Sequence, residues 1–169
     1  VRRAALLLAW ALLAAAPAAA QEAPCPPDGT PDLAAIEDLY STARHAEVAC
    51  RLSGGAVDRL RRRERPRAYY LLATSLQFPN REPEALSVLQ LGVSLFPKDA
   101  NLLSHLARFL QNRDLAERAL PVYEQILKLR PNNAAANHGI GEIRHRQGLY
   151  AHAAKHFEYA KKIGDRRRI

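Results

Sequence analysis

The feature that most constrains the fold of this chain is a period of 34 residues in its second half. Three successive blocks, 66–99, 100–133 and 134–167, align with one another without a gap. Small residues recur at the eighth and twentieth positions and a large residue at the twenty-fourth: Ala73, Ala107 and Gly141; Ala85, Ala119 and Ala153; Leu89, Tyr123 and Phe157. A chain with such a period builds one structural unit several times.

Each block has the apolar periodicity of two amphipathic helices joined by a short turn. Small residues at the eighth and twentieth positions allow the two helices to approach closely. Pro97 and Pro131 end the second helix, because proline cannot continue a helix and restricts the residue before it. Asp99 and Asn133 then stand where the next helix needs an N-cap. We therefore expect antiparallel helix pairs that follow one another directly.

A helix–turn–helix unit of this length and pattern resembles the tetratricopeptide repeat (TPR). The resemblance covers residues 66–167 and implies an all-α, right-handed α-solenoid of about three helix pairs. Asn137, Arg144 and Asp165 depart from the pattern in the third block, which is typical of a terminal repeat with one face in water. An ordinary helical bundle with coincidental spacing is the alternative fold.

Residues 32–65 are predicted to form an N-terminal helical cap. Their apolar pattern fits either one helix broken near residues 42–44 or two short helices, as in a degenerate repeat whose spacing is lost at residues 53–55. Such a cap would cover the apolar face of the first full repeat. The arginine-rich run at residues 58–67 is either a solvated surface or an anion-binding surface, and its Pro66 suits the first turn of the following helix.

The first twenty residues differ in kind from the rest. Two arginines precede an apolar stretch that ends in small residues around Pro17, which predicts a secretory signal peptide at residues 1–20, cleaved after Ala20. An uncleaved membrane anchor is the alternative. Residues 21–31 would then be a Pro-rich leader. We expect a periplasmic or secreted protein without stable membrane insertion after cleavage.

Net charge and cysteine content bear on the partners and the compartment. The net charge of +8 becomes +8 − 2 = +6 without the two arginines of the predicted signal peptide. For an exported basic protein, an acidic protein surface or anionic lipid is a better expectation than nucleic acid. The only two cysteines, Cys25 and Cys50, are predicted to form a disulfide, with two free thiols as the alternative.

No catalytic pattern stands out along the chain. The sequence lacks a nucleophile elbow, a phosphate-binding glycine loop, a zinc-protease helix and a dinucleotide fingerprint. We therefore expect no enzyme activity and no cofactor. His138 and His145 would share a face of one helix, and His152 and His156 a face of the next. No cysteine or carboxylate is placed to complete a tetrahedral metal site, so all four are expected to be exposed surface histidines.

The resemblance to TPR arrays implies a partner-binding groove lined by the first helix of each repeat. Positions two, five, nine and twelve of each block would face it. The residues implied are Arg67, Tyr70, Thr74, Gln77, Asn101, Ser104, Arg108, Gln111, His138, Glu142 and His145, beside Ala135. They would suit a ligand with a hydrogen-bonding backbone and some negative charge. Tyr70 and Thr74 stand where the carboxylate clamp of cytosolic co-chaperone TPRs has Lys and Asn, so that clamp is absent.

These observations favour a non-catalytic scaffold or adaptor that binds a partner protein or peptide in the cell envelope. Two alternatives stay open. One is a self-associating structural module, because the apolar face around Phe157 and Ala160 in the last repeat would be open to a second copy. The other is a metal-handling protein built on the histidines.

Overall fold

The computed structural model describes residues 31–77 and 81–166. Within these ranges the chain forms nine helices and no strand: α1 (Leu33–Ser41), α2 (His45–Leu52), α3 (Ala56–Arg59), α4 (Arg65–Gln77), α5 (Glu82–Leu95), α6 (Ala100–Gln111), α7 (Ala116–Leu129), α8 (Ala134–Arg146) and α9 (Tyr150–Arg166). The predicted signal peptide and Cys25 lie outside the described residues. Cys50 is half-buried in α2, and its pairing with Cys25 stays a prediction.

The N-terminal cap consists of short helices packed against α4. The carboxylate of Asp32 accepts a hydrogen bond from the backbone N–H of Ala34 and so caps α1. Ala43, with φ 59°, separates α1 from α2, so the break expected there yields two helices. Ile36, Val48 and Leu52 are each at most 1% exposed and belong to the same buried apolar cluster as residues of the first repeat.

The remaining helices form three consecutive pairs, α4 with α5, α6 with α7, and α8 with α9. Each pair also packs on the next, since α5 contacts α6 and α7 contacts α8. The first helices contact one another in series, from α1 through α4 and α6 to α8. This arrangement confirms the predicted all-α solenoid of helix pairs with an N-terminal cap.

The residues that define the repeat have the roles expected of them. Asp99 accepts hydrogen bonds from the N–H groups of Asn101 and Leu102 at the start of α6, and Asn133 accepts one from Ala136 at the start of α8. Both N-cap predictions are therefore confirmed. The small residues of the eighth and twentieth positions are almost completely buried where helices meet: Ala73, Ala85, Ala107, Ala119 and Ala153.

The last helix pair departs from the expectation of an open apolar face. Ala160 is only 9% exposed, and Ile163 is only 6% exposed. Phe157 is half-buried and packs against Gly141, where an added Cβ would lie 2.6 Å from its ring. The expected open face around Phe157 and Ala160 is therefore wrong, because the glycine lets α8 take up the ring.

His156 also differs from the expected exposed histidine. Its Nδ1 lies 3.1 Å from Oδ1 of Asn137, which is itself only 3% exposed. The amide Nδ2 of Asn137 donates to the backbone oxygen of Asn133. Burial, followed by the nearby Arg144, lowers the pKa of His156. A partly buried polar contact thus joins α8 to α9.

Candidate functional site

The candidate site is the groove face, which we define as the side of α4, α6 and α8 that bears the predicted contact residues. Most of these side chains reach solvent: the exposed ones are Arg67, Asn101, Arg108, Ala135, His138, Glu142 and His145, and the half-buried ones are Tyr70, Thr74, Gln77 and Ser104. Two pockets open among them, one towards each end of the helix array. We call them the arginine pocket and the mixed-charge pocket.

The arginine pocket lies between α4 and α6 and has a volume of about 410 Å³. It brings together four of the predicted residues, Arg67, Tyr70, Asn101 and Ser104, with Arg63, Pro66, Asp99 and His105. The carboxylate of Asp99 is engaged in capping α6. The hydroxyl of Ser104 donates to the backbone oxygen of Ala100, and its lone pairs stay available as acceptors.

An aromatic cluster forms the floor of this end of the groove. The ring centroid of Tyr70 lies 3.9 Å from that of His105 and 6.3 Å from that of Tyr40. The guanidinium carbon of Arg67 lies 4.9 Å from the centroid of Tyr70, within cation–π range. Tyr70 is therefore a packed element of the floor and joins α1, α4 and α6.

Sequence reasoning missed Tyr40 and His105. Tyr40 belongs to the cap, where no repeat register assigned a groove position. His105 stands at the sixth position of its block, which the family pattern does not count as facing the groove. The available signal was the contrast at that position, where a histidine replaces the leucine of the first block and the glycine of the third.

The electrostatic field of the arginine pocket is positive. Burial lowers the pKa of His105 to about 4, with further contributions from Arg108 and Arg67, so its imidazole is neutral at pH 7. Nε of Arg67 donates to Glu37 over 2.7 Å. Arg108 has no hydrogen bond or ion pair within the part of the chain that the structure describes. Its charge is therefore available to a ligand.

The mixed-charge pocket, of about 500 Å³, lies at the other end of the groove face. Its lining includes Glu142, His145, Arg146 and Phe157. Arg146 pairs with Asp114 over 3.1 Å, and Nδ1 of His138 lies 3.7 Å from Glu142. The positive and negative groups here are largely matched to each other.

Gln111, another predicted groove residue, is largely buried and hydrogen-bonded. It is only 8% exposed, and its Oε1 accepts a hydrogen bond of 2.6 Å from the hydroxyl of Tyr123. Its Nε2 donates to Glu142 of the next repeat. Burial, followed by the charge of Glu142, raises the pKa of Tyr123 to about 12. Gln111 therefore ties the second repeat to the third, and it also lines the mixed-charge pocket with Glu142 and His145.

The structure does not gather the histidines into a metal centre. Across residues 31–77 and 81–166, no three His, Cys, Asp or Glu side chains come together as metal ligands. The ring of His145 packs on Tyr150, and that of His138 on Phe157. In the same ranges, none of the helices combines the length and the apolar character that a membrane span requires.

Comparisons with known proteins support a TPR-like fold. No family model matches the chain. The chain is 32% identical over 107 residues to the mouse (Mus musculus) protein O-mannosyl-transferase TMTC1, in a match that covers 59% of this chain and 11% of that protein. The chain therefore spans only a small part of this relative.

Solved structures of MamA share the fold at low sequence identity. The crystal structure of MamA aligns with a TM-score of 0.59 at 18% identity, covering 80% of this chain and 88% of MamA. A double mutant described as MamA RS-1 ArsTM aligns with a TM-score of 0.67 at 17% identity, covering 80% and 74%. Together with the 34-residue blocks, these likenesses show a TPR-like helical solenoid.

Proposed function

We propose that this protein is a non-catalytic scaffold that binds a partner protein or peptide on its groove face. The observation that carries the proposal is the row of exposed polar side chains on three successive first helices, above an interior of buried leucine and alanine. Asn101 and Arg108 on α6 stand beside Arg67 on α4 and Glu142 on α8. A face that displays hydrogen-bonding groups on a rigid array suits recognition of an extended segment.

An enzymatic role has less support. The transferase activity in the name of the mouse relative belongs to a protein of which this chain matches 11%. The groove face offers no nucleophile held by a base, because the hydroxyls of Thr74 and Ser104 donate to carbonyls of their own helices. Binding of a partner, in contrast, needs only the exposed polar side chains that the groove face has.

The test is capture of the native partner with matched arginine variants. Arg108→Ala removes a groove charge, and Arg118→Ala removes an exposed charge on α7, in the layer of second helices. We expect Arg108→Ala to weaken capture severalfold and Arg118→Ala to leave it unchanged, with equal helicity by circular dichroism. The reverse result would move the binding site to the second-helix layer and end the groove proposal.

We also propose that the protein works outside the cytoplasm, in the periplasm or as a secreted protein. The apolar N-terminal segment with its small-residue end supports this, as does the pair of cysteines. N-terminal sequencing of protein from the native host should find Gln21 as the first residue. Retention of residues 1–20 would instead favour the membrane anchor.

Self-association through the C-terminal repeat is a second candidate. Leu149, Tyr150 and Tyr159 of the last pair are 42%, 65% and 44% exposed, although Phe157 and Ala160 are covered. Sedimentation of the purified protein tests the candidate, and Tyr159→Lys should shift any dimer to monomer. A monomer over the whole concentration range would leave the groove as the only proposed binding surface.

A further inference from the structure

The lining of the arginine pocket contains more arginine than carboxylate side chains. Arg63 is 75% exposed along its side chain, and its ion-pair contact with Glu64 is loose, at 3.7 Å. Arg67 is paired with Glu37, yet its side chain stays 49% exposed. Arg108 lies outside the lining, one turn after Ser104 on α6, and its positive charge acts on His105. Among the described residues that line the pocket, the one carboxylate is Asp99, which is engaged in the α6 cap.

The same field acts on His105. Both Arg108 and Arg67 disfavour a further positive charge on its buried ring. Burial is the larger cause of the lowered His105 pKa and disfavours either sign of charge, but the part due to the two arginines would favour an anion. The pocket therefore has a preference of sign built into its fixed charges, and this preference does not depend on a titrating group at neutral pH.

The pocket also offers neutral partners for a peptide. The side-chain amide of Asn101 is exposed and has no hydrogen bond within residues 31–77 and 81–166. The Ser104 hydroxyl oxygen can accept, and the Tyr70 ring provides a flat apolar floor. A volume of about 410 Å³ holds a side chain or two with the adjoining backbone.

We propose that the arginine pocket is an acid-recognition subsite that takes an Asp or Glu side chain of a partner segment lying along the groove face. The proposal rests on the proposed function and names the partner's chemistry. A guanidinium binds a carboxylate through parallel hydrogen bonds, which Arg63 in the lining can supply, while Arg108 outside the lining adds to the positive field. The amide of Asn101 would hold the adjoining backbone, and the carboxylate would approach Tyr70 from the side that faces solvent.

A protein segment fits this pocket better than an anionic membrane. The pocket lies between two helices of the array, and Tyr70 and His105 form its floor. A flat bilayer would contact exposed side chains such as Arg61 and Arg62 more readily than the half-buried Ser104. A free phosphate would use the arginines but would leave the aromatic floor without a partner.

The test uses two labelled peptides of the same length in a Gly/Ser background, one with a central Glu-Phe-Glu and one with Gln-Phe-Gln. Fluorescence anisotropy with the full protein should show the Glu peptide binding about tenfold more tightly at low ionic strength. Arg63→Gln should remove most of this preference, and Arg108→Gln, which removes a charge outside the lining, should reduce it. Arg118→Gln, the same change on α7, should preserve it.

A second readout follows from linkage. A bound carboxylate should raise the pKa of His105, because its negative charge offsets the field of the two arginines. NMR of the ring protons of His105 measures this pKa. Equal affinity for the two peptides, no binding of either, or equal loss in Arg118→Gln would overturn the subsite. Competition by anionic vesicles or inorganic phosphate as strong as by the Glu peptide would overturn it as well.

The failure of this subsite differs from a failure of the proposed function. If Arg108→Ala abolishes capture of the native partner while the Glu and Gln peptides bind alike, the groove binds protein without a preference for acidic side chains. If Arg108→Ala leaves capture unchanged, the groove proposal itself fails.

Discussion

Helices α6 and α8 occupy the same place in successive repeats but fill their interfaces by opposite means. At the fourth, sixth and eighth positions α6 has Leu103, His105 and Ala107, whereas α8 has Asn137, Gly139 and Gly141. Leu103 and Ala107 are completely buried. In α8 the neighbouring helices supply the volume, because Tyr123 and Phe157 reach the backbone at the two glycines.

The difference shows that a repeat constrains how closely its helices approach each other more than it constrains which side chains fill the space between them. Where α6 supplies its own leucines, packing depends on its buried apolar area. Where α8 supplies glycines, packing depends on two rings and on the polar contact between Asn137 and His156. We therefore expect the second repeat to be sensitive to loss of volume and the third to be sensitive to gain of volume.

The largest expected effect is loss of volume at the fourth position. Leu103→Ala should destabilise the protein by about 2–5 kcal/mol, because it leaves a cavity in a completely buried site. Asn137→Ala at the matching position should cost about 1–3 kcal/mol, since it leaves polar partners unsatisfied. Urea denaturation followed by circular dichroism measures both. Equal costs would mean that the two interfaces are packed alike.

The pH dependence of stability should distinguish the sixth position of α6, which is His105, from that of α8, which is Gly139. The pKa of His105, about 4, lies below its ordinary value of 6.5, so its neutral form is favoured by folding. The stabilisation is complete above pH 6.5 and is lost as the pH falls towards 4. With allowance for solvent screening, the loss is on the order of 1–3 kcal/mol.

The variant His105→Gln isolates this contribution. It should flatten the stability profile between pH 6.5 and 4 relative to the unmodified protein, while the effects of the carboxylates stay common to both. Tyr70 on α4 contacts the ring, and the charges of Arg108 on α6 and Arg67 on α4 act on it. An unchanged slope would show that His105 is solvated in the folded state.

A larger side chain at Gly139, the sixth position of α8, should destabilise the protein even though alanine forms helices better than glycine. An added Cβ at Gly139 would lie 2.4 Å from Cζ of Tyr123, whose hydroxyl is bound to Gln111. Gly139→Ala should therefore cost about 1–2 kcal/mol, after the usual gain in helix propensity is subtracted.

The control for this change lies in the same helix pair. Gly164 in α9 has no atom within 4 Å of an added Cβ. Gly164→Ala should stabilise the protein by about 0.5–1 kcal/mol. Thermal denaturation of both variants measures the contrast. If Gly139→Ala is also stabilising, Tyr123 has room to move, and the close approach does not hold the two repeats together.

The helix pairs could be predicted from the sequence, because helix caps and apolar periodicity depend on residues only a few positions apart. The caps of Asp99 and Asn133 and the column from Ala73 to Gly141 are of this kind. The site was less predictable because its members come from different helices. The exposure of Gln111 depended on whether Tyr123 could reach it, and the exposure of His156 depended on an asparagine nineteen residues earlier. Such pairings follow from packing rather than from position in the repeat.

The smallest expected effect concerns the tenth position, where Phe109 and Ile143 of the later repeats are matched by Ser75. Ser75 is completely buried, and its hydroxyl has no hydrogen-bond partner among the described residues. Ser75→Ala removes an unsatisfied polar group and should leave stability unchanged or raise it by up to about 1 kcal/mol. Ser104→Ala serves as the control, because it deletes a hydroxyl that donates to Ala100, and it should cost about 0.5–1 kcal/mol. A midpoint lowered equally by both changes would show that the Ser75 hydroxyl is satisfied in the folded protein.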